Sequence, residues 1–334
     1  MTPPCHLLTI DVEDWPQSTL DHTLPIGDRV VANTHAVLDL LAETGVQATF
    51  FVLGKVAEAH PTLTREIAAA GHEIGTHGYS HEAVEAMPIA RFQEELHRSV
   101  ETLRHQTGQP VVGHRAADFS ISATSLHLLE HLSTEGLIYD SSIFPIRHPR
   151  YGVPGAWRMP HYVRCASGRM LVEFPMATLQ VARMALPVAG GGYLRLFPYW
   201  WTRLAFHTME RAGLPTTCYL HPYELDVTEL DEIPYQVPMR LRWTQSTNRK
   251  SVCAKLRRLL ATFRFTTMAA ACQVLQTAPL AVGLDLTKSP VAYTPQPKGG
   301  CLCSGNSDAI AFPFYSTTVS CRIKRLWHAI LAQK

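Results

Sequence analysis

Three carboxylates fall within four residues at Asp11-Val-Glu13-Asp14, at the end of the apolar run HLLTI. Held that close they repel one another. A helix N-cap would tolerate them, whereas a nearby metal ion would favour them and still leave one free as a general base. Side chains two apart on a strand share a face, so Asp11 and Glu13 would point together, and Asp14 competes as a ligand if the strand ends at Glu13. Farther along, His77-Gly-Tyr-Ser-His81 sets two imidazoles four residues apart. If that segment turns helically, both can face one metal ion, and a carboxylate completes a three-ligand site with positions left open for water. The chain has 17 His, so this spacing arises readily by chance. Taken alone, the pair reads more plainly as solvated loop histidines. Leu220-His221-Pro222 puts an imidazole at a strand terminus, locked by the following Pro; a pKa near neutrality suits a general acid. A structural His bonded to a loop carbonyl is the commoner role for such a residue by itself. Arg115 and Asp140 also sit at strand ends, where a solvated Arg and an Asp capping the Asp-Ser-Ser run are the ordinary alternatives.

What unites these groups is their place in the rhythm of the chain. Residues 6–11 read as a buried strand, and 29–44 as a helix with Val30, Val37, Leu38 and Leu41 at helical spacing and Gly45 as its stop. The pattern repeats: strand 47–54, helix 56–70, strand 73–77, helix 89–107, strand 111–115, helix 122–132, strand 136–140. Strands at 171–174 and 215–222 and helices at 199–212, 251–262 and 266–276 follow. Alternation of this kind argues for a parallel sheet or barrel. Such folds place active sites at the C-terminal ends of their strands. That is where Asp11, Glu13, Asp14, His77, His81, Arg115, Asp118, Asp140, His221, Glu224 and Asp226 all fall. Two irregular stretches, 141–170 and 187–198, interrupt the rhythm, and long loops in compact domains are usually functional.

Charge separates two regions. Residues 1–275 hold 24 basic and 26 acidic side chains, and residues 276–334 hold six and two, out of 30 and 28 in the whole chain of 334 residues. The near balance removes the electrostatic footprint of a nucleic-acid binder. The stretch after 276 lacks periodicity and is rich in Pro and Gly, so it is expected to be a tail of low order. Its basic end, CRIKRLWHAILAQK, could touch an anionic membrane surface. Eight scattered cysteines without a CxxC suggest neither zinc knuckle nor disulfide framework. No apolar run of membrane-spanning length and no secretory pattern are visible, which makes the cytoplasm the expected location.

Taken in order, these residues resemble the polysaccharide deacetylase family (carbohydrate esterase family 4, with its chitooligosaccharide-deacetylase homology domain). The segments TIDVEDW, ATFFVLGKVAEAHPTLTREIAAAGHEIGTHGYSH, GHRAADFS, YDSSIFPIRHPRYGVPG, GGGYLRLFPYWW and YLHPYELD look like a bacterial subgroup found beside exopolysaccharide and exosortase loci. The resemblance runs from about residue 5 to 275. It implies an α/β fold, a distorted (β/α) barrel with fewer than eight regular strands, as one catalytic domain over 1–275 followed by the 276–334 tail. It implies hydrolysis of N-acetyl groups from N-acetylhexosamine units of a polysaccharide or oligosaccharide, releasing acetate. It also implies a divalent metal; mixed His and carboxylate ligands suit Zn²⁺ and also Co²⁺ or Ni²⁺. By motif, Asp11 corresponds to the general base, His77 and His81 to metal ligands with Glu13 or Asp14 as the third, and Arg115 to the residue orienting the base. His221 corresponds to the general acid, Leu220 lies beside the acetyl methyl pocket, and Asp140 orients His221. Trp157 and Tyr193 are candidates to stack on sugar rings, as are Tyr199, Trp200 and Trp201, although a helix would put Trp200 and Trp201 in the core. Two departures stand out: the first motif is Asp-x-Glu-Asp where many members have adjacent Asp-Asp, and Arg115-Ala-Ala-Asp118 replaces Arg-Ala-Pro or Arg-Pro-Pro. Relatives on this scaffold open the alternative of a cyclic-amide or other C–N amidohydrolase. A non-catalytic glycan-binding module is the third possibility, against which the intact His77, His81, Arg115 and His221 set argues.

Overall fold

The computed structural model describes residues 5–148, 150–181, 184–276 and 280–296. Twelve strands are present among them. They are β1 (His6–Val12), β2 (Thr49–Val52), β3 (Glu73–Thr76), β4 (Gly113–His114), β5 (Tyr139–Asp140), β6 (His161–Arg164), β7 (Met170–Glu173), β8 (Thr178–Val181), β9 (Met184–Pro187), β10 (Thr217–Leu220), β11 (Phe265–Thr266) and β12 (Val282–Asp285). The helices are α1 (Arg29–Thr44), α2 (Gly54–Ala59), α3 (Pro61–Ala69), α4 (Ile89–Thr107), α5 (Leu129–Thr134), α6 (Gly191–Leu196), α7 (Tyr199–Arg211), α8 (Glu229–Glu232), α9 (Met239–Ser246), α10 (Val252–Thr262) and α11 (Met268–Gln276).

Strands β10-β1-β2-β3-β4-β5-β7 form a continuous parallel run of seven, β6 lies antiparallel to β7, and β12 lies parallel to β6. Among the described residues the run does not close on itself, and the two-residue β11 pairs parallel to β1 off its path, so the barrel is an open, distorted one, as expected. β8 and β9 pair separately as a hairpin.

Each face of β1 has its own core. Leu8, Ile10 and Val12 pack outward, in one cluster with Val37, Leu40 and Leu41 of α1. Leu7 points the other way and packs with Phe51, Tyr139 and Val172. Met268 and Cys272 of α11 join this second cluster. Period-two alternation therefore sends Leu7, Thr9, Asp11 and Glu13 to one side. Along that line the sequence passes from an apolar plug to carboxylates, so polarity is confined to the C-terminal end of the sheet.

α1 and α4 span the expected residues. The helix expected over 56–70 divides into α2 and α3 at Pro61, which has no N–H to continue the ladder. Where a helix was expected at 122–132, a 3₁₀ turn at Leu126–Leu128 precedes α5. β6 emerges inside the supposedly irregular 141–170 stretch. The sheet also runs past the expected boundary near 275: β12 pairs with β6, and Trp157 Nε1 donates to Thr294 O at 2.7 Å. The basic end proposed to touch membranes lies outside the described residues. No described helix is long and apolar enough to cross a membrane.

Candidate metal and acid–base site

The ends of β1, β3, β4 and β10 converge on one cleft of about 300 Å³. Its floor is a compact cluster. Glu13 Oε1 lies 2.8 Å from His77 Nε2 and 3.0 Å from His81 Nε2, and all three residues are buried. One ligand atom from each lies within 4.8 Å of the others. His77 Nδ1 donates to Arg115 O at 2.8 Å, which leaves Nε2, hydrogen-bonded to Glu13, as the nitrogen that would ligate a metal once deprotonated. His81 takes the left-handed conformation, with φ at 68°, and its Nδ1 has no partner among the described residues. A non-glycine residue there costs free energy, and strain of this kind concentrates at functional sites. Two imidazole nitrogens and a carboxylate, buried and convergent, are a donor set that fits a divalent metal ion with open positions for water. The structure thus brings Glu13, rather than Asp14, to the two histidines. Asp14 turns away and accepts the Gly27 N–H at 3.0 Å, and burial pushes its pKa up to about 6.

Beside the cluster stands a second buried pair. Arg115 Nη1 donates to Asp11 Oδ1 at 2.7 Å. The guanidinium is fully buried and heavily anchored: Nη1 to Thr9 Oγ1 at 2.6 Å, Nη2 to Ser141 Oγ at 2.9 Å, and Nε to Ser141 O at 3.1 Å. It also lies 4.4 Å over the Phe51 ring. Both charges are therefore paired and hydrogen-bonded, the condition under which a buried ion pair is tolerated.

His221 approaches from the opposite side, with Nε2 3.6 Å from Glu13 Oε1 and Nδ1 3.4 Å from Glu224 Oε1. Burial works against a charged imidazole, but the fields of Glu13 and Glu224 outweigh it and hold the His221 pKa up at about 9. Burial likewise opposes ionisation of Glu13, and the His81 and His221 charges with the histidine hydrogen bonds hold it well below the usual carboxylate range.

Other expected residues fare unevenly. Asp140 does not orient His221. Its Oδ1 accepts from His114 Nδ1 and from Ser142 Oγ, both at 2.7 Å, and Ser142 Oγ in turn accepts the Ala116 N–H at 2.8 Å. Asp140 thus fixes the strand end that carries Arg115, and Glu224 is the carboxylate beside His221. Tyr193 does line the cleft, its hydroxyl 2.9 Å from that of Tyr151. Leu220 is fully buried in the core and absent from the cleft lining. Trp157 packs with Met159, Met209 and Leu214, away from the cleft. Trp201 is core, whereas Trp200 is 59% exposed. Tyr199 bonds Arg258 O instead of facing the cleft.

Sequence reasoning passed over Thr9, Ser141 and Arg195. Thr9 lies two residues before Asp11 on the same strand face, and Ser141 directly follows a strand end, so both had a positional signal. Arg195, inside GGGYLRLFP, had none. Its placement depends on Gly190 and Gly191, at φ of 102° and 48°, where a Cβ would come within 2.2 and 2.7 Å of Tyr219 atoms. Glycine there lets α6 lie against β10 and over the cleft.

Residues 7–136 match the family described as polysaccharide deacetylase. The chain carries a polysaccharide deacetylase domain. Residues 141–273 match a domain of unknown function (DUF3473), so His221, Glu224 and Arg195 come from that second segment and complete a cleft begun by the deacetylase segment. A peptidoglycan deacetylase of Helicobacter pylori is 30% identical over 141 residues, 42% of this chain and 43% of the relative. A chitooligosaccharide deacetylase of Rhizobium leguminosarum is 37% identical over 81 residues, 24% of this chain and 38% of the relative. The chain thus spans less than half the length of these curated relatives. Among solved structures, a Mycobacterium smegmatis protein assigned as a polysaccharide deacetylase superposes with a TM-score of 0.59 at 21% identity, over 84% of this chain and 93% of that one. An allantoinase gives 0.57 at 15% identity, over 82% and 91%. These two likenesses concern the fold.

Proposed function

We propose that this protein hydrolyses the N-acetyl groups of N-acetylhexosamine units in a bacterial polysaccharide or oligosaccharide, releasing acetate, with a divalent metal held by Glu13, His77 and His81. Zinc is the first candidate. The observation that carries the reading is the placing of the Asp11–Arg115 pair and His221 around that three-residue cluster in one cleft.

An amide carbonyl is a poor electrophile, and a divalent ion at this position would polarise it and acidify water. The chain's own residues supply the rest. Asp11, held by Arg115, is set to accept the proton of the attacking water. His221, charged at neutral pH, gives a proton to the departing amine, without which the amine does not leave. Glu224 beside Nδ1 stabilises the charged imidazole and sets its orientation. Acetate and the free amino sugar are the products. A polymer destined for the cell exterior is the proposed substrate source, since the sequence resembles the exopolysaccharide-locus subgroup.

The test is metal content by mass spectrometry together with acetate release from a panel of N-acetylated glycans. About one equivalent of divalent metal and acetate release are expected, with both lost in His77→Ala. Turnover of a cyclic amide with no acetate from any glycan would replace this reading with the amidohydrolase alternative.

A further inference from the structure

Arg195 of α6 is only 2% exposed, yet it borders the cleft beside Tyr193 and Gln245. A guanidinium carries five N–H donors. Among the described residues Arg195 spends one of them, Nη1 to Gln245 O at 2.7 Å, and its buried Nε has no partner. It makes no ion pair there. A buried cation left unpaired is costly.

The neighbouring arginines show how a buried cation is paired in this fold. Arg249, also buried, meets Glu229 Oε2 at 2.8 Å and the carbonyls of Tyr223, Asp226 and Gln245, with only its Nη2 left without a partner among the described residues. At the cleft itself, Arg115 is matched by Asp11 and Arg150 by Asp118, at 2.7 and 2.8 Å. Glu224 lends Arg195 a field but keeps its closest contact for His221. Nor is Arg195 a loosely held group. Lys255 Nζ donates to the carbonyls of Leu194, Arg195 and Phe197 at 2.9–3.0 Å and pins the end of α6.

We infer that Arg195 is an anion subsite of the cleft. On the deacetylase reading, on which this rests, the substrate class is an N-acetylated glycan bearing an acidic oxyanion next to the acetamido sugar. A planar fork with free donors fits a carboxylate or a phosphate bidentately. The carboxylate would come from a neighbouring uronate, the phosphate from a diphosphate at the reducing end.

Three probes separate the cases: chitotetraose as the neutral glycan, a hyaluronan tetrasaccharide carrying glucuronate, and UDP-N-acetylglucosamine carrying a diphosphate. KM for acetate release is expected to be on the order of 10- to 100-fold lower for one acidic probe than for chitotetraose, the worth of a charge-assisted contact. The probe that gains identifies the oxyanion. Arg195→Gln should bring the ratio of acidic to neutral KM near parity, and Arg195→Lys should restore part of it. Acetate release from chitotetraose with no gain on either acidic probe overturns the subsite and leaves the deacetylase reading standing. If no probe yields acetate, that reading fails. Calorimetric binding of the three probes to the unmodified protein then decides the subsite, which is lost if neither acidic probe binds more tightly than chitotetraose. The comparison on the unmodified protein holds even if the variants do not fold.

Discussion

The two segments that build the cleft differ in how closely their proposed acid–base groups are held. In residues 7–136, Asp11, Arg115 and His77 are all held at 2.6–3.1 Å by partners that are themselves buried. In residues 141–273, His221 stands 3.4 Å from Glu224, and Glu224 Oε2 and Arg195 Nε have no partner among the described residues. The first segment is pre-organised, as groups that must meet a reacting atom need to be. The second keeps donors and acceptors in reserve, as expected of a surface completed by a ligand. The proposed proton donor, His221, belongs to the looser segment, so the proposed chemistry draws on both stretches of the chain.

The sharpest way to break this contrast is at Asp11. Asp11→Asn keeps the shape and removes the base, and should lower kcat by about 10²- to 10⁴-fold, the usual worth of general base catalysis. Acetate release under saturating substrate checks it, and near-parental kcat would remove Asp11 from the mechanism. Arg115→Ala should fail differently. It leaves Asp11 buried and unpaired, at a cost of roughly 3–5 kcal/mol in stability. Urea denaturation of Arg115→Ala should therefore show a large fall in midpoint, and of Asp11→Asn a smaller one.

That first segment is also the part most legible in the sequence. Asp11, His77, His81 and Arg115 sit at ends of short apolar runs separated by regular helices, and strand ends in such a fold converge whatever the details of the loops. Glu13 and Asp14 could not be separated beforehand because the choice turns on where β1 stops. β1 continues through Val12, so Glu13 keeps the face of Asp11. The second segment was less legible for a physical reason. β6, β12 and α6 are placed by long-range pairing and by the close approach of Gly190 and Gly191 to Tyr219, and no local period records such contacts. Asp140 and Trp157 were misplaced on the same account: each has the right residue type, but its neighbours are distant in sequence.

Glu224→Gln probes the looser side of the contrast. It keeps the size of the side chain and removes the charge that helps hold His221 near 9. His221 donates only when charged, and a lowered pKa means the charged form is lost at lower pH. The alkaline limb of the kcat profile should therefore move down, with kcat reduced about tenfold, a fraction of the roughly 10²- to 10⁴-fold that general acid catalysis supplies, and KM for a neutral glycan altered less. An unmoved limb would make Glu224 a packing residue only.

The smallest effect is expected at Asp14, and it tests the pairing of neighbours most directly. Glu13 is held ionised by the histidines around it, whereas Asp14 is pushed up to about 6 by burial with one backbone N–H as partner. A carboxyl whose pKa is raised on folding favours the native state while protonated. That contribution is complete below about pH 4 and is lost as pH rises through 6, at a cost on the order of 1–3 kcal/mol. Asp14→Asn carries no such penalty and still offers an oxygen to Gly27 N–H. In the metal-free protein its stability should match the parent near pH 4 and exceed it at pH 7, with metal content and acetate release retained. Glu13→Gln should lose the metal under the same conditions. A pair of variants behaving the other way round would make Asp14 the third ligand, and Glu13 the residue whose charge serves only to hold His77 and His81 in place.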